Sequence, residues 1–209
     1  MTPALLQLKT SIFSEAGVSS RLADEFVARW LEHNPGATLI ARDLARNPVP
    51  HITAERFQAF LAKPGERTHG QQAVVAYSDT LIDELKRADV IVIGLPMYNF
   101  GVPSTVRAYF DHIARAGVTF RYTEQGSVGL LNGKKAYIFT TRGGYYAGTQ
   151  SDTETAYVRQ FLRFLGIDDV EFVYAEGLAI SDTARQAALS KARETIEHLA
   201  APQRAALAA

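Results

Sequence analysis

Residues 89–95 read DVIVIGL, and the run stops at Pro96. Six nearly all-apolar residues are too few for a free-standing helix and leave no polar face to meet water. A strand covered on both sides by helices has this pattern, and such strands belong to parallel sheets. Four shorter relatives of the run occur at residues 4–8, 37–41, 135–140 and 170–174. Between them, apolar residues recur at helical spacing over 20–33, 71–86, 104–114 and 153–165, and a last helix is expected over 182–199. Strand and helix therefore alternate, which predicts an α/β fold with an open, doubly wound parallel sheet and helices on both faces. Right-handed crossovers fix most of the remaining topology. No repeat or linker divides the chain, so residues 1–209 are expected to form one domain. The stretch 47–70, with prolines at 48, 50 and 64, reads as an excursion from the sheet carrying a short helix near 54–61.

Composition removes several classes of function. Lys plus Arg and Asp plus Glu are both 22, so the formal net charge is zero. Nucleic-acid binders and polybasic membrane anchors carry a basic excess. There is no cysteine, which excludes disulfides, thiolate catalysis and cysteine-held metals. Residues 1–9, MTPALLQLK, lack the basic and long apolar segments of a secretory leader. No apolar run approaches the roughly 20 residues of a membrane span. A cytoplasmic protein with no membrane or nucleic-acid partner is the expectation.

Ligands of open α/β sheets bind outside the carboxyl ends of the strands. Three loops fall there. The first, TSIFSEAGVSS at 10–20, is rich in hydroxyls and opens a helix. A helix N-terminus with serine donors holds a phosphate. Ser19 or Ser20 acting as an ordinary helix cap is the competing reading. The second, PMYNF at 96–100, is apolar and aromatic where loops are normally polar. Either a planar ligand covers it, or Met97, Tyr98 and Phe100 plug a gap beneath the next helix. The third, TRGGYY at 141–146, has Gly143 and Gly144 for close backbone approach, Arg142 for positive charge, and Tyr145 and Tyr146 as a flanking wall. Glycine pairs are commonly plain turns. Neither HExxH nor GxSxG occurs, and the five histidines show no metal-ligand spacing. A ring loop and a phosphate loop without an acid–base pair point to chemistry carried by a bound cofactor.

PMYNF, VPSTVRAYFDHIARAGVTFRYTEQG, LLNGKKAYIFTTRGG and FLGIDDVEFVYAEG together resemble the FMN-dependent NADH azoreductase and quinone reductase family, over residues 9–184. The resemblance implies a flavodoxin-like fold of five parallel strands in the order 2-1-3-4-5. It implies a homodimer with one FMN per subunit and composite active sites. NADH or NADPH gives up a hydride and leaves, and a quinone takes its place in ping-pong fashion; azo bonds are cleaved by two such rounds. The implied cofactor-binding residues are Ser11, Gly17, Val18 and Ser19 for the phosphate. Met97, Tyr98, Asn99 and Phe100, with Thr141, Arg142, Gly143 and Gly144, are implied for the ring. Thr141 stands where the family usually has serine. Gln7 is unusual inside an apolar first strand. Phe57 and Phe60 from a second subunit, with Tyr122, Tyr145 and Tyr146, are the expected substrate-facing rings; the competing reading is that Phe57 and Phe60 cover the edge of their own sheet. A flavodoxin-like electron carrier is the alternative, although such carriers are typically strongly acidic.

Overall fold

The computed structural model describes residues 2–201. In chain order the elements are β1 (Ala4–Lys9), α1 (Val18–His33), β2 (Thr38–Asp43), α2 (Ala54–Leu61), α3 (His69–Arg87) and β3 (Val90–Pro96). Next come α4 (Ser104–Ile113), β4 (Phe120–Thr123), β5 (Gly126–Gly129), β6 (Lys135–Thr141), α5 (Thr153–Leu165), β7 (Asp169–Ala175) and α6 (Asp182–Ala200). Five strands form one parallel sheet in the order β2-β1-β3-β6-β7. Counted without the separate β4–β5 hairpin, that is the expected 2-1-3-4-5.

The alternation of side chains along each strand divides the core in two. Leu5, Val92, Phe139 and Val173 point to one face and pack with Phe26 and Trp30 of α1 and Ile196 of α6. Leu6, Ile91, Ile93 and Ile138 point to the other and meet Leu81 and Leu85 of α3, Phe110 of α4 and Leu162 of α5. Gln7 does not interrupt β1. It is buried, and its amide donates to Asp24 of α1 at 2.7 Å, beside the Lys9–Asp24 ion pair. One carboxylate on α1 thus satisfies both polar residues of the strand, and β1 pairs along its length with β2 and β3.

Helix α2 lies in the 47–70 excursion as expected. The β4–β5 hairpin was not expected. Its four-residue strands are largely exposed, so no apolar alternation announces them. It seats where Gly129 meets Gly166: a Cβ on Gly129 would lie 2.0 Å from the Gly166 amide nitrogen. Two glycines back to back let the hairpin and the end of α5 touch through backbone. Among the described residues no helix is long and apolar enough to cross a membrane.

Candidate functional site

The three loops converge on one cavity of about 190 Å³ at the carboxyl edge of the sheet, lined by Ser11, Phe13, Gly17, Val18, Ser19, Pro96, Met97, Tyr98, Thr141, Arg142, Gly143 and Leu178. Two glycines make the convergence possible. A Cβ on Gly94 would lie 2.8 Å from the Ser19 carbonyl, so the start of α1 rests directly on the backbone of β3. A Cβ on Gly17 would lie 2.3 Å from Ser11 Oγ, so the turn into α1 closes against that serine. Thr10 Oγ1 donates to the Gly94 carbonyl at 2.8 Å and ties the loop to the same strand.

Helix α1 begins at Val18 with Gly17 as its N-cap and no side-chain cap bond. Ser19 and Ser20 therefore lie inside the first turn, and the capping alternative is set aside. Both hydroxyls are buried and without a hydrogen-bond partner. The opening N–H groups of a helix have no intrahelical acceptor. An unpaired hydroxyl lining a cavity at an uncapped helix start is a donor cluster suited to an oxyanion. Ser14, not singled out in the sequence, holds the loop from outside: its backbone has φ 52° and its hydroxyl donates to Asp43 at the end of β2. Burial alone would raise the Asp43 carboxyl; the bonds from Ser14, Arg46 and Ala45 reverse this and hold it below the usual range.

The ring loop is a tight turn. Tyr98 and Gly101 exchange two backbone hydrogen bonds of 2.9 and 3.0 Å, with Asn99 at φ 50° and Phe100 at φ 65°. Two consecutive positive φ angles define a mirror-image turn that normally carries Asn-Gly. Asparagine tolerates this region, whereas phenylalanine is an outlier there, and such outliers gather at functional sites. Phe100 is 55% exposed, with the Tyr146 ring edge-on at 5.7 Å. Thr153 Oγ1 donates to its carbonyl. The loop therefore does not plug a gap beneath α4. Tyr98 leans the other way: its hydroxyl accepts from the Ile12 amide at 3.3 Å and lies 3.4 Å from Ser11 Oγ, bridging the ring and phosphate loops.

In the third loop the carbonyls of Arg142, Gly143 and Gly144 accept from the amides of Leu178, Ala179 and Gly177. Among the described residues the amides of Gly143 and Gly144 have no acceptor. Arg142 departs from expectation. Its guanidinium does not offer charge to the cavity; the side chain is fully buried and ion-paired with Asp152, Glu154 and Glu176 at 2.8, 3.2 and 3.2 Å. Its backbone is taken as well: the amide donates to the Ala175 carbonyl at 3.0 Å and the carbonyl accepts from the Leu178 amide. Burial pushes the Glu154 carboxyl up to about 7, against the hydrogen bond from Thr140 and the pull of Arg142. Burial would also raise Asp152, but bonds from Arg142 and Thr155 hold it low.

The five substrate-facing candidates divide. Tyr146 stands beside Phe100, and Tyr145 is exposed, its ring packed on Gly177. None of the five belongs to the cavity lining, and Phe57, Phe60 and Tyr122 lie on other elements altogether. Phe60 is taken up within its own chain: His112 of α4 meets its ring edge-on at 6.1 Å and Arg115 lies over it at 5.1 Å. Phe57 and Tyr122 remain exposed.

A five-stranded sheet in this order, with a phosphate-type donor cluster and two backbone loops at its carboxyl edge, defines a flavodoxin-like α/β protein. Residues 4–200 match the flavodoxin-like fold family. The chain is 52% identical over 193 residues to an FMN-dependent NADH:quinone oxidoreductase of Cellvibrio japonicus, covering 92% of this chain and 96% of that one. Two solved structures superpose on it closely. An azoreductase from Bacillus anthracis gives a TM-score of 0.87 at 27% identity, covering 95% of this chain and 98% of that one. An FMN-dependent NADH-azoreductase from the same species, in complex with FMN, gives 0.85 at 28% identity, covering 95% and 99%. The chain belongs to the family of FMN-dependent NADH:quinone oxidoreductases.

Proposed function

We propose that the protein is an FMN-dependent NADH:quinone oxidoreductase that also reduces azo bonds. The observation that carries this reading is the single cavity joining three separate loops, with the buried, unpaired Ser19 hydroxyl at an uncapped helix start. These residues fit the cofactor. Ser11, Ser19 and the amides opening α1 suit one terminal phosphate, and no GxGxxG loop is present for a dinucleotide. The Tyr98–Gly101 turn and the amides of Gly143 and Gly144 suit the two edges of a flat ring.

Bound FMN supplies two-electron hydride chemistry between a nicotinamide donor and a quinone. The chain itself contributes orientation and electrostatics. With FMN bound, the amides of Gly143 and Gly144, which have no acceptor among the described residues, would stabilise negative charge on the ring without any movement of their own. Phe100, Tyr145 and Tyr146 exclude water and hold a planar substrate flat. One pocket of this kind serves donor and acceptor in turn, which is ping-pong kinetics. NADPH is the alternative donor to NADH, and such a reductant places the work in the cytoplasm. The exposed rings of Phe57, Phe100, Tyr122 and Tyr145 support a homodimer in which a second copy completes the substrate wall.

The visible spectrum of the purified protein is the direct test. Flavin bands are expected, with bleaching on anaerobic addition of NADH and recovery on addition of a small quinone. Flavin released by heat should chromatograph as FMN. A colourless protein that takes up no FMN, or one that releases FAD, would sink the reading.

A further inference from the structure

The Arg142 cluster is costly to build and nothing in the proposed chemistry uses its charge. Nη2 donates to Asp152 and Thr155 at 2.8 Å each and to Glu154 at 3.2 Å, Nη1 donates to Glu176 at 3.2 Å, and Nε lies 3.3 Å from Thr140 and Glu154. Buried ion clusters of this kind are often no more stable than apolar residues of the same volume, so stability alone does not account for one. Its connections do. The Glu176 oxygen that meets Arg142 also accepts the backbone amides of Tyr146 and Ala147, at 2.8 and 2.9 Å. Asp152 and Glu154 form the start of α5, and Thr153 between them donates to the carbonyl of Phe100. Polar contacts thus run from the 143–147 loop, through Glu176 and Arg142, to Asp152 and Glu154, and the backbone of 152–154 carries the link to Thr153 and the strained 98–101 turn.

We propose that Glu176, Arg142 and Thr153 are positioning residues: a charged brace that sets the backbone of 143–147 and the Phe100 turn at a fixed separation for the flavin ring, without touching the ring. The brace rests on the functional reading above, since it is the FMN ring that needs the two loops in register. A ring held by backbone amides needs those amides placed by something else. Backbone bonds from 177–179 tie residues 142–144 to the segment after β7, but between the two loops the described residues share just the bond from Met97 N to Thr141 O at 3.0 Å, so their register with each other falls to side chains. Arginine suits the task because its planar fork fixes several acceptors at defined angles, which a lysine does not.

The test uses the full chain with its flavin. In Glu176→Ala, hydrogen exchange in a peptide spanning Tyr146 and Ala147 should accelerate at least about tenfold, and FMN should dissociate about tenfold more readily, read from flavin fluorescence on dilution. Glu176→Gln keeps an amide acceptor and should restore most of both. Should Glu176→Ala fail to fold, Thr153→Val cuts the same brace at an exposed residue. It should loosen FMN about fivefold with an unchanged melting temperature. A Glu176→Ala or Thr153→Val protein that holds FMN within twofold of wild type overturns the brace, whatever its exchange rates. So does unchanged exchange at Tyr146 and Ala147. A wild-type protein that binds no FMN removes the functional reading, and the brace with it. Tight wild-type binding with equally tight variants removes the brace alone.

Discussion

The two ends of the cavity are built from opposite materials. At the phosphate end the close contacts are small and neutral: Gly17 against Ser11, Gly94 against Ser19, and a helix start left without a side-chain cap. At the ring end the backbone is strained at Asn99 and Phe100, and a buried guanidinium with three carboxylates stands behind the loop. The first is a close fit of glycine backbone against a serine side chain and a helix carbonyl, which tolerates no added atom. The second is an adjustable surface held by side chains, which tolerates atoms but is sensitive to charge. A terminal phosphate always presents the same oxygens, so a rigid socket suits it. A ring that must accept two different partners on its face is better served by edges set from behind.

That contrast predicts unequal outcomes for the same substitution. Gly94→Ala pushes a methyl to 2.8 Å from the Ser19 carbonyl, and a helix backbone cannot step aside. We expect a stability loss of about 3 kcal/mol in urea denaturation, at the upper end for overpacking, together with a large loss of FMN affinity. Gly144→Ala meets only the tip of Tyr146, at 2.9 Å from its hydroxyl, and that ring can rotate. It should cost less than about 1 kcal/mol. Equal losses at both positions would erase the distinction between socket and adjustable edge.

Charge sharpens the comparison next. Burial raises Glu154 to about 7, from an ordinary value of 4.5. A carboxyl raised on folding binds its proton more tightly in the folded state, so its contribution to stability grows as pH falls from about 7 towards the unfolded value. Above pH 7 the folded protein holds the buried charge and that contribution is absent. Glu154→Gln has no such proton. Its stability relative to wild type should therefore fall by about 2–3 kcal/mol between pH 8 and pH 5, followed by denaturation at four pH values. A flat difference would mean that Glu154 is ionised throughout the range.

At the phosphate end, Ser19→Ala removes a hydroxyl that has no partner in the protein. Folding stability should hold or rise slightly, while FMN binding weakens by about 1.5–3 kcal/mol, the worth of a hydrogen bond to a charged group. Ser11→Ala should weaken binding too, but it also removes an acceptor for the Phe13 amide, so some stability should go with it. A Ser19→Ala protein with lower stability and unchanged affinity would make Ser19 a packing residue.

What the sequence disclosed divides along the same line. The buried strands were legible because a covered parallel strand is apolar on both faces, and Val90 to Leu95 is apolar throughout. The hydroxyls of the phosphate loop were legible as donors, but whether Ser19 capped the helix was not, since that turns on two residues of helix register. Arg142 was read as a charge for the ligand because its partners, Glu154 and Glu176, lie 12 and 34 residues downstream. Nothing local marks either as its counter-ion. The β4–β5 hairpin escaped because its strands are short and wet, and Gly129 and Gly166 announce nothing until they meet.

The smallest expected effect isolates the strain in the ring loop. Phe100 has φ 65°, where a side chain costs about 1–2 kcal/mol and glycine costs nothing. Its ring is 55% exposed and makes one edge-on contact, with Tyr146, so little packing opposes its removal. Phe100→Ala keeps the strain and removes the ring; Phe100→Gly removes both. If strain is held for the ligand, the glycine variant should be more stable than the alanine variant by about 1 kcal/mol, with wild type close to the alanine value. Quinone turnover should fall in both, because the ring itself is lost. Thermal unfolding of the three proteins, beside their reductase rates, gives both quantities. Should glycine prove no more stable than alanine, the contacts around the turn have already paid the strain back, and Thr153, which holds the Phe100 carbonyl, is the first group to remove in asking why.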